Sequence, residues 1–195
     1  MTAPFEIMVA TLKVYTGPVN EARPDLNDAV AGNWVLLGLT GKLDYTEDGV
    51  IVTPSETIET FKSLGSTAPQ KAFRTDEEFT VGVTVADMTA ETLAKVFNDA
   101  SVTDTAPGSG AAGVRDFDLL QGVAVTEYGL LLRGDVGPYI ASSKMQWWIP
   151  RVYVESIGPI AAVKGEPGMY EVVFAALEHA SNGFGKYEAQ DAAAS

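Results

Sequence analysis

An alternating segment, EFTVGVTVAD at residues 78–87, is the feature that most limits how this chain can fold. Phe79, Val81, Val83 and Val85 alternate with small or polar residues, so on a strand all four would point to one face. The pattern predicts a β-strand with one buried face. Such a strand needs neighbouring strands and a core beneath it.

Most other apolar segments also favour strands, because they are short and are separated by Gly, Pro, Asn and Asp. They are residues 5–15, 34–39, 50–53, 121–134, 144–156, 160–165 and 169–180. Only MTAETLAKVFN, residues 88–98, has helical spacing, with apolar residues at 90, 93, 94 and 97 and a possible cap at Thr89 or Asp87. The sequence predicts a mostly β fold, a sandwich or barrel with one flanking helix.

The chain of 195 residues suits one core, so we predict a single domain over residues 1–195. Two segments rich in Pro, Gly, Asn and Asp predict long loops at residues 17–33 and 40–49. Residues 184–195 are small and polar, which predicts a C-terminal tail.

Residues 53–73, TPSETIETFKSLGSTAPQKAF, fit two structures. Ile58, Phe61 and Leu64 recur every third residue between a Pro-Ser opening and Gly65, as in a short capped helix. The threonines and Ile58, with no alanine among them before Ala68, favour an extended strand instead. The residues of this segment leave both possibilities open.

The chain is strongly acidic, with 26 Asp plus Glu against 13 Lys plus Arg and a formal net charge of −13. Proteins that hold nucleic acid neutralise phosphates with Lys and Arg, so a DNA-binding role is not expected. A surface past which a polyanion must slide would, however, benefit from this charge. The N-terminal residues show neither signal-peptide nor membrane-span character, which predicts a soluble protein made in a cytoplasm, without a membrane partner.

Candidate catalytic groups are few and isolated. Asp116 and Asp118 are spaced to share a strand face, but alternation beside a loop end is more typical of a solvated face. His179 is the single histidine and no nucleophile or metal-binding motif accompanies it, while the glycine-rich residues 108–113 follow the predicted helix rather than a strand. We predict no catalytic, cofactor-binding or metal-ligating residue, and no enzyme activity.

Two adjacent tryptophans, Trp147 and Trp148, project to opposite faces if residues 144–156 form a strand. If one fills the core, the other needs cover from elsewhere, and aromatic side chains in that position are enriched in interfaces. Alternatively, Pro150 marks a bulge at which both side chains tuck under one edge.

The order of segments closely resembles the major tail tube proteins of long-tailed, siphovirus-type bacteriophages. The residues that carry this resemblance are WVLLG at 34–38, the block at 45–98, GLLLRG at 129–134, MQWWIPRVY at 145–153 and FAALE at 174–178. Together they span nearly the whole chain, in order. The block at 45–98 is the most specific part.

The resemblance implies two packed antiparallel sheets with a flanking helix, a fold shared with tube proteins of contractile tails and type VI secretion. It implies subunits that assemble as stacked hexameric rings, forming a channel for the tape measure protein and then for double-stranded DNA, which passes without specific binding. Residues 50–63 are similar to an extended strand in that family. Tail terminator and tip proteins are the other implied partners, and the location is the virion tail after assembly from host cytoplasm.

Long loops that cost ordering entropy in one subunit can recover it by docking on neighbours, so both loops are predicted ring contacts. The candidate interface residues are Pro18, Arg23, Pro24, Asp25, Lys42, Asp44, Tyr45, Trp147 and Trp148. The alternatives are a tube protein of a secretion system, tailocin or gene transfer agent, and a small-molecule-binding β-barrel protein.

Overall fold

The computed structural model describes residues 11–41, 43–119, 122–135, 144–160, 163–165 and 167–189. These residues are mostly β, with two antiparallel sheets and a single helix among them, which confirms the predicted fold class. The elements are β1 (Leu12–Gly17), β2 (Val35–Leu36), β3 (Tyr45–Phe61), β4 (Lys71–Val85), α1 (Ala90–Val96), β5 (Thr103–Thr105), β6 (Val114–Asp116), β7 (Glu127–Asp135), β8 (Lys144–Ile157), β9 (Tyr170–Ala176) and β10 (Lys186–Ala189).

The larger sheet has the strand order β2-β1-β7-β8-β9-β4-β3, and β5 and β6 form a separate two-stranded ribbon. The larger sheet curls, so that side chains from both ends of this order share one core: Val14 of β1, Tyr45 of β3 and Val85 of β4 all belong to it. The Tyr45 hydroxyl bridges the two ends, because it donates to the Leu37 carbonyl (2.7 Å) and accepts from the Val14 amide (3.4 Å).

The alternating segment behaves as its pattern predicts. Val81, Val83 and Val85 are 1%, 2% and 0% exposed, and Phe79 packs partly buried against the same core. Burial of such side chains contributes about 1.5–3 kcal/mol each. This end of β4, between β3 and β9, is therefore a central part of the fold.

Residues 53–73 form a hairpin, so the strand expected over residues 50–63 is confirmed as far as Phe61, and the helical spacing was misleading. β3 runs to Phe61, a turn follows, and β4 begins at Lys71 opposite Phe61. The backbone N–H and C=O groups of this segment find their hydrogen-bond partners across the hairpin, whereas in a helix they would have bonded to one another. On this strand Ile58 and Phe61 point to opposite faces, so their spacing forms no common apolar stripe.

Helix α1 forms where its spacing predicts. The Thr89 hydroxyl accepts from the Thr92 amide (3.4 Å), and Asp87 in turn accepts from the Thr89 amide (3.0 Å) and the Thr92 hydroxyl (2.8 Å). Both candidate caps therefore contribute to the first turn. The buried residues of the helix are Thr92, Ala94 and Val96, so among the predicted apolar positions 90, 93, 94 and 97 only Ala94 is buried, while Leu93 packs partly buried against the core.

Several sequence-based boundaries need correction. Of the strand predicted at 34–39, only Val35–Leu36 pair as a strand. The strand predicted at 121–134 begins at Glu127. The described residues of the strand predicted at 160–165 form no strand. The second loop ends at Asp44 rather than 49, because the next residues pair with β4. Most of the first predicted strand, residues 5–10, lies outside the described residues.

The predicted C-terminal tail is also corrected. Its residues 186–189 are β10, which pairs with Met145–Trp148 of β8, while β9 pairs with residues 152–157 along the same edge. Two short strands thus share one edge of β8, and Pro150, which has no N–H to donate, lies between them. The edge is covered without requiring a ladder hydrogen bond from the proline.

Candidate assembly surfaces

The first long loop, residues 18–33, packs on its own sheet. The indole nitrogen of Trp148 donates to the Glu21 carbonyl (3.0 Å), that of Trp34 donates to the Ala22 carbonyl (2.9 Å), and the Gln146 amide donates to the Pro24 carbonyl (2.8 Å). These bonds satisfy loop carbonyls with side chains of the sheet and of Trp34. The loop is therefore an ordered layer of the subunit and not a free insertion.

Arg133 on β7 holds the same loop from beneath. Its side chain is 4% exposed, and its Nη2 atom lies 2.5–3.2 Å from the carbonyl oxygens of Asp25, Leu26 and Asp28. Carbonyl dipoles converging on a guanidinium offset part of the cost of burying its charge. The loop conformation and this buried cation thus depend on one another.

A small second core lies between the loop and the sheet, formed by Trp34, Leu131 and Trp148. The Trp34 ring lies over Gly17 and Gly129, where an added Cβ would come within 2.9 Å of the ring and 2.7 Å of the Pro18 carbonyl respectively. Glycine at both positions leaves room for the ring. The loop closes over this core as a lid.

Trp147 and Trp148 do lie on opposite sides of β8, since Trp147 packs against the main core and Trp148 belongs to the second core. Trp147 also contacts Tyr187 of β10, with ring centroids 4.7 Å apart. Trp148 is 7% exposed beneath the loop of its own chain. The cover that we expected from a neighbouring subunit is thus supplied within the chain, which leaves Trp148 little surface for an interface.

The other candidates of the first loop remain at the surface. Pro18, Arg23 and Asp25 are exposed and Pro24 is half-buried. Arg23 pairs with Glu188 of β10 (2.7 Å), so the loop and the C-terminal strand are linked at this surface. The side chains of this loop therefore divide into those that hold the subunit together and those available to a partner.

The candidates of the second loop serve the subunit itself. Asp44 accepts hydrogen bonds from the Thr40 amide, the Gly41 amide (2.8 Å) and the Thr40 hydroxyl (3.0 Å). Burial alone would raise the pKa of Asp44, but these donors, first the Thr40 and Gly41 amides, outweigh it and lower the pKa. Burial raises the pKa of Tyr45, whose hydroxyl joins the ends of the sheet. Lys42 lies outside the described residues.

A long exposed feature is the outer part of the β3–β4 hairpin, residues 54–78, here called the arm. All strand residues of the arm are exposed, including Ile58 (54%), Phe61 (54%) and Phe73 (49%), and Leu64 in its turn is fully exposed. Arg74 of β4 links the two strands by pairing with Glu56 of β3 (2.5 Å), and it also pairs with Glu77 of its own strand (3.6 Å). Our sequence-based candidates omitted the arm, although its length and its apolar residues on both faces were visible signals.

A two-stranded ribbon is marginally stable in water without a third strand or a packed face. Eight residues per strand at about 3.3 Å each place the tip of the arm roughly 25 Å from the body. Such an arm exposes apolar side chains and backbone edges that a partner could cover.

The isolated polar candidates do not converge. Asp116 is exposed on β6, Asp118 is exposed beyond its end, and the glycine-rich residues 108–113 lie in the turn between β5 and β6. His179 lies in a turn, where its Nδ1 atom accepts from the Ser181 amide (3.4 Å). Among the described residues, no three His, Asp or Glu side chains are grouped as a metal site would require, and no helix is long and apolar enough to cross a membrane.

No protein-family model and no curated protein matches this chain. Among solved structures it is similar to a chain of the virion of a native gene transfer agent particle, with a TM-score of 0.41 and 10% identity over 93% of this chain and 95% of that one. It is also similar to a chain from the C6-symmetric tail of an empty gene transfer agent particle, with a TM-score of 0.39 and 11% identity over 85% and 90%. Since both TM-scores lie below 0.5, these likenesses do not establish a shared fold.

Proposed function

We propose that this chain is the structural subunit of a phage-type tail tube, in which stacked rings of identical subunits form the channel for DNA ejection. The rings are hexameric if the resemblance in the sequence holds. The tape measure protein, the tail terminator and the tip proteins are the proposed partners, and DNA passes without specific binding. The protein acts in the virion tail after synthesis in the host cytoplasm, and it has no catalytic role.

The observation that carries the proposal is the arm. It is ordered, it exposes Ile58, Phe61, Leu64 and Phe73, and little of it is covered by the body of its own subunit. A two-stranded ribbon that exposes several large apolar side chains gains stability by packing them against another molecule. Copies of the same chain are the partner that a self-assembling tube provides.

The test is a subunit with a shortened arm, in which residues 56–77 are replaced by Asn-Gly between Ser55 and Glu78. This pair faces each other across the hairpin, so a two-residue turn can close there. The core residues of β3 and β4 lie on the body side of Ser55 and Glu78 and are kept. The variant should therefore stay folded and β-rich by circular dichroism. Size-exclusion chromatography with light scattering should show a monomer where the intact chain forms large assemblies.

A shorter exposed segment supplies the control. Replacing the turn residues 106–112 between β5 and β6 with a short turn changes a loop that carries no large apolar side chain, so assembly should persist. If the arm-shortened variant forms assemblies of normal size, the arm is not the contact that drives assembly. The proposal would then lose the observation on which it rests.

The same fold could serve a tube of a gene transfer agent, tailocin or secretion system, since all require the same self-association. A small-molecule-binding β-barrel would instead be a monomer with a ligand in an enclosed cavity. Three clefts lined by described residues, at the end of α1, between the first loop and β10, and between β2 and α1, are open to solvent, which supports the assembly proposal.

A further inference from the structure

An open groove lies beside the C-terminal end of α1. Its walls come from the end of the helix, from the segment before β7 and from the last residues of β8. Its volume is about 570 Å³, in the range that buries a drug-sized molecule or one to two large side chains. Val125 and Ile160 in its lining are 62% and 42% exposed, so the groove presents uncovered apolar surface.

The described lining of the groove carries a net negative charge. Glu155 is the single charged residue among the described lining residues, and the other walls include Val96, Phe97, Val154 and Ile157. A partner for this groove should combine an apolar side chain with a nearby cation, because Glu155 then gains a counter-charge while the apolar walls are covered.

The tip of the arm has this combination. Phe61 and Leu64 are exposed apolar side chains, and Lys62 and Lys71 lie beside them, with Lys71 directly opposite Phe61 in the hairpin. The remainder of the arm is mostly acidic, with Glu56, Glu59, Asp76, Glu77 and Glu78. The tip is thus the part of the arm that matches an apolar groove carrying a carboxylate.

Resting on the self-assembly proposed above, we propose that the groove beside α1 receives the arm tip of a second copy of this chain. Leu64 and Phe61 occupy the apolar part, and Lys62 or Lys71 pairs with Glu155. The arm of the same subunit is not the occupant, because its Phe61 and Leu64 are exposed in the single chain.

A second groove, between β2 and α1, fits the tip less well. It also has apolar walls, at Val35 and Leu39, but its two cations, Lys95 and Arg115, are balanced by two carboxylates, Asp87 and Glu91. The formal charge of this lining is zero, whereas Glu155 gives the groove beside α1 a net negative charge. A tip that carries Lys62 and Lys71 is therefore attracted more to the groove beside α1.

Disulfide trapping tests the proposal directly, because the chain has no cysteine of its own. One preparation carries Leu64→Cys at the tip and a second carries Val125→Cys in the groove; both positions are exposed, so folding should be unaffected. The two preparations are mixed under mild oxidation during assembly. The yield of disulfide-linked dimers that contain one copy of each should be at least about tenfold higher than for the control pairs, because docking raises the local thiol concentration.

Matched controls use residues of the same type and similar exposure elsewhere. Val114→Cys, 56% exposed, replaces the groove partner, and Leu43→Cys, 85% exposed, replaces the tip partner. Equal linkage in the control pairs, or linkage of groove to groove, would overturn the proposal. So would the absence of any link in a mixture that electron microscopy shows to be assembled; in that case the tube function stands and only the docking site fails.

A charge exchange gives an independent measure. Glu155→Lys and the paired change Lys62→Glu with Lys71→Glu should each reduce assembly measured by light scattering, and the combined variant should recover it. Absence of recovery would overturn the ion pair. If the unmodified chain never assembles, both the docking site and the proposed function are wrong.

Discussion

A few buried residues determine whether the first loop packs on its own subunit or is free to pack on neighbouring subunits. Arg133 and Gln146 are opposite each other on β7 and β8, and both donate to loop carbonyls that are more than 100 residues away in the sequence. A buried donor that loses its acceptor costs about 1–3 kcal/mol, so these contacts make the loop hard to remove. The loop residues that face outward are the ones left for assembly.

Replacing Arg133 with methionine should lower the free energy of unfolding by about 1–3 kcal/mol, because three loop carbonyls lose their shared donor. Urea denaturation measures this change. Arg74→Met is the matched control: Arg74 is half exposed on the arm, and its ion pairs should contribute less than about 1 kcal/mol. Equal effects of the two changes would contradict the account of the loop.

Gly129→Ala should also destabilise the chain, since the new Cβ would meet the Pro18 carbonyl at 2.7 Å and the Trp34 ring at 3.1 Å. Overpacking of this kind costs about 1–3 kcal/mol. Gly65→Ala, where an added Cβ meets nothing within 4 Å, should be neutral or slightly stabilising. Thermal melts of both variants compare the two sites, and an unchanged melting temperature for Gly129→Ala would show that the lid is looser than described.

The ion pair between Arg151 and Glu127 makes stability depend on pH. Hydrogen bonds from Arg151 (2.7 Å) lower the pKa of Glu127 below its ordinary value of 4.5. A lowered folded-state pKa stabilises the protein above the unfolded-state pKa, and that contribution is lost as pH falls through the folded-state pKa. In urea titrations the free energy of unfolding of Glu127→Gln should therefore be lower than that of the parent chain at pH 7. The two free energies should be nearly equal at pH 2–3. A difference that persists unchanged at low pH would contradict this assignment.

At the scale of elements, patterns with a strong period were predictable and long-range pairings were not. The alternation at 79–85 predicted the buried face correctly, and a helix formed within 88–98, because both patterns are local. The buried face of the helix was not predicted, since Thr92, Ala94 and Val96 are buried instead of residues 90, 93, 94 and 97 together. β10 has no comparable signal: Lys186–Ala189 form a strand only because β8 leaves an edge open there. The packing of loop 18–33 was missed for the same reason, since its partners lie on β7 and β8.

The first loop also changes what a deletion should do. A loop that only made ring contacts, as the sequence predicts for residues 17–33, could be deleted without unfolding the subunit. The structure predicts instead that the deletion uncovers Trp148, removes the three carbonyl acceptors of Arg133 and removes one of the two acceptors of Gln146, so the variant should melt well below the parent chain in circular dichroism. The arm-shortened variant is the control and should melt close to the parent. A loop deletion that melts normally would restore the original expectation.

At the scale of the whole molecule, charge opposes self-association. A formal charge of −13 per subunit gives roughly −78 per ring of six, and like charges at that density repel unless they face water or an open channel. We propose that part of this charge lines the channel, where it keeps the phosphates of DNA from adhering. A basic channel would bind DNA by counterion release.

Salt should therefore promote assembly of the purified chain. Raising NaCl from about 0.01 M to about 0.5 M shortens the Debye length from about 30 Å to a few ångströms, so the repulsion between rings weakens. Light scattering at fixed protein concentration should rise with salt. If assembly weakens as salt is added, attraction between opposite charges holds the subunits together. Apolar contacts that overcome charge repulsion would not then be the main source of association.

Electron microscopy of the purified, unmodified chain shows whether it assembles into a hollow tube. Negative-stain images at high protein concentration and moderate salt should show rings and stacked rings with a stain-filled channel, and averaged end views should give six-fold symmetry. A chain that remains a dispersed monomer across the full range of protein and salt concentrations would contradict the proposed function.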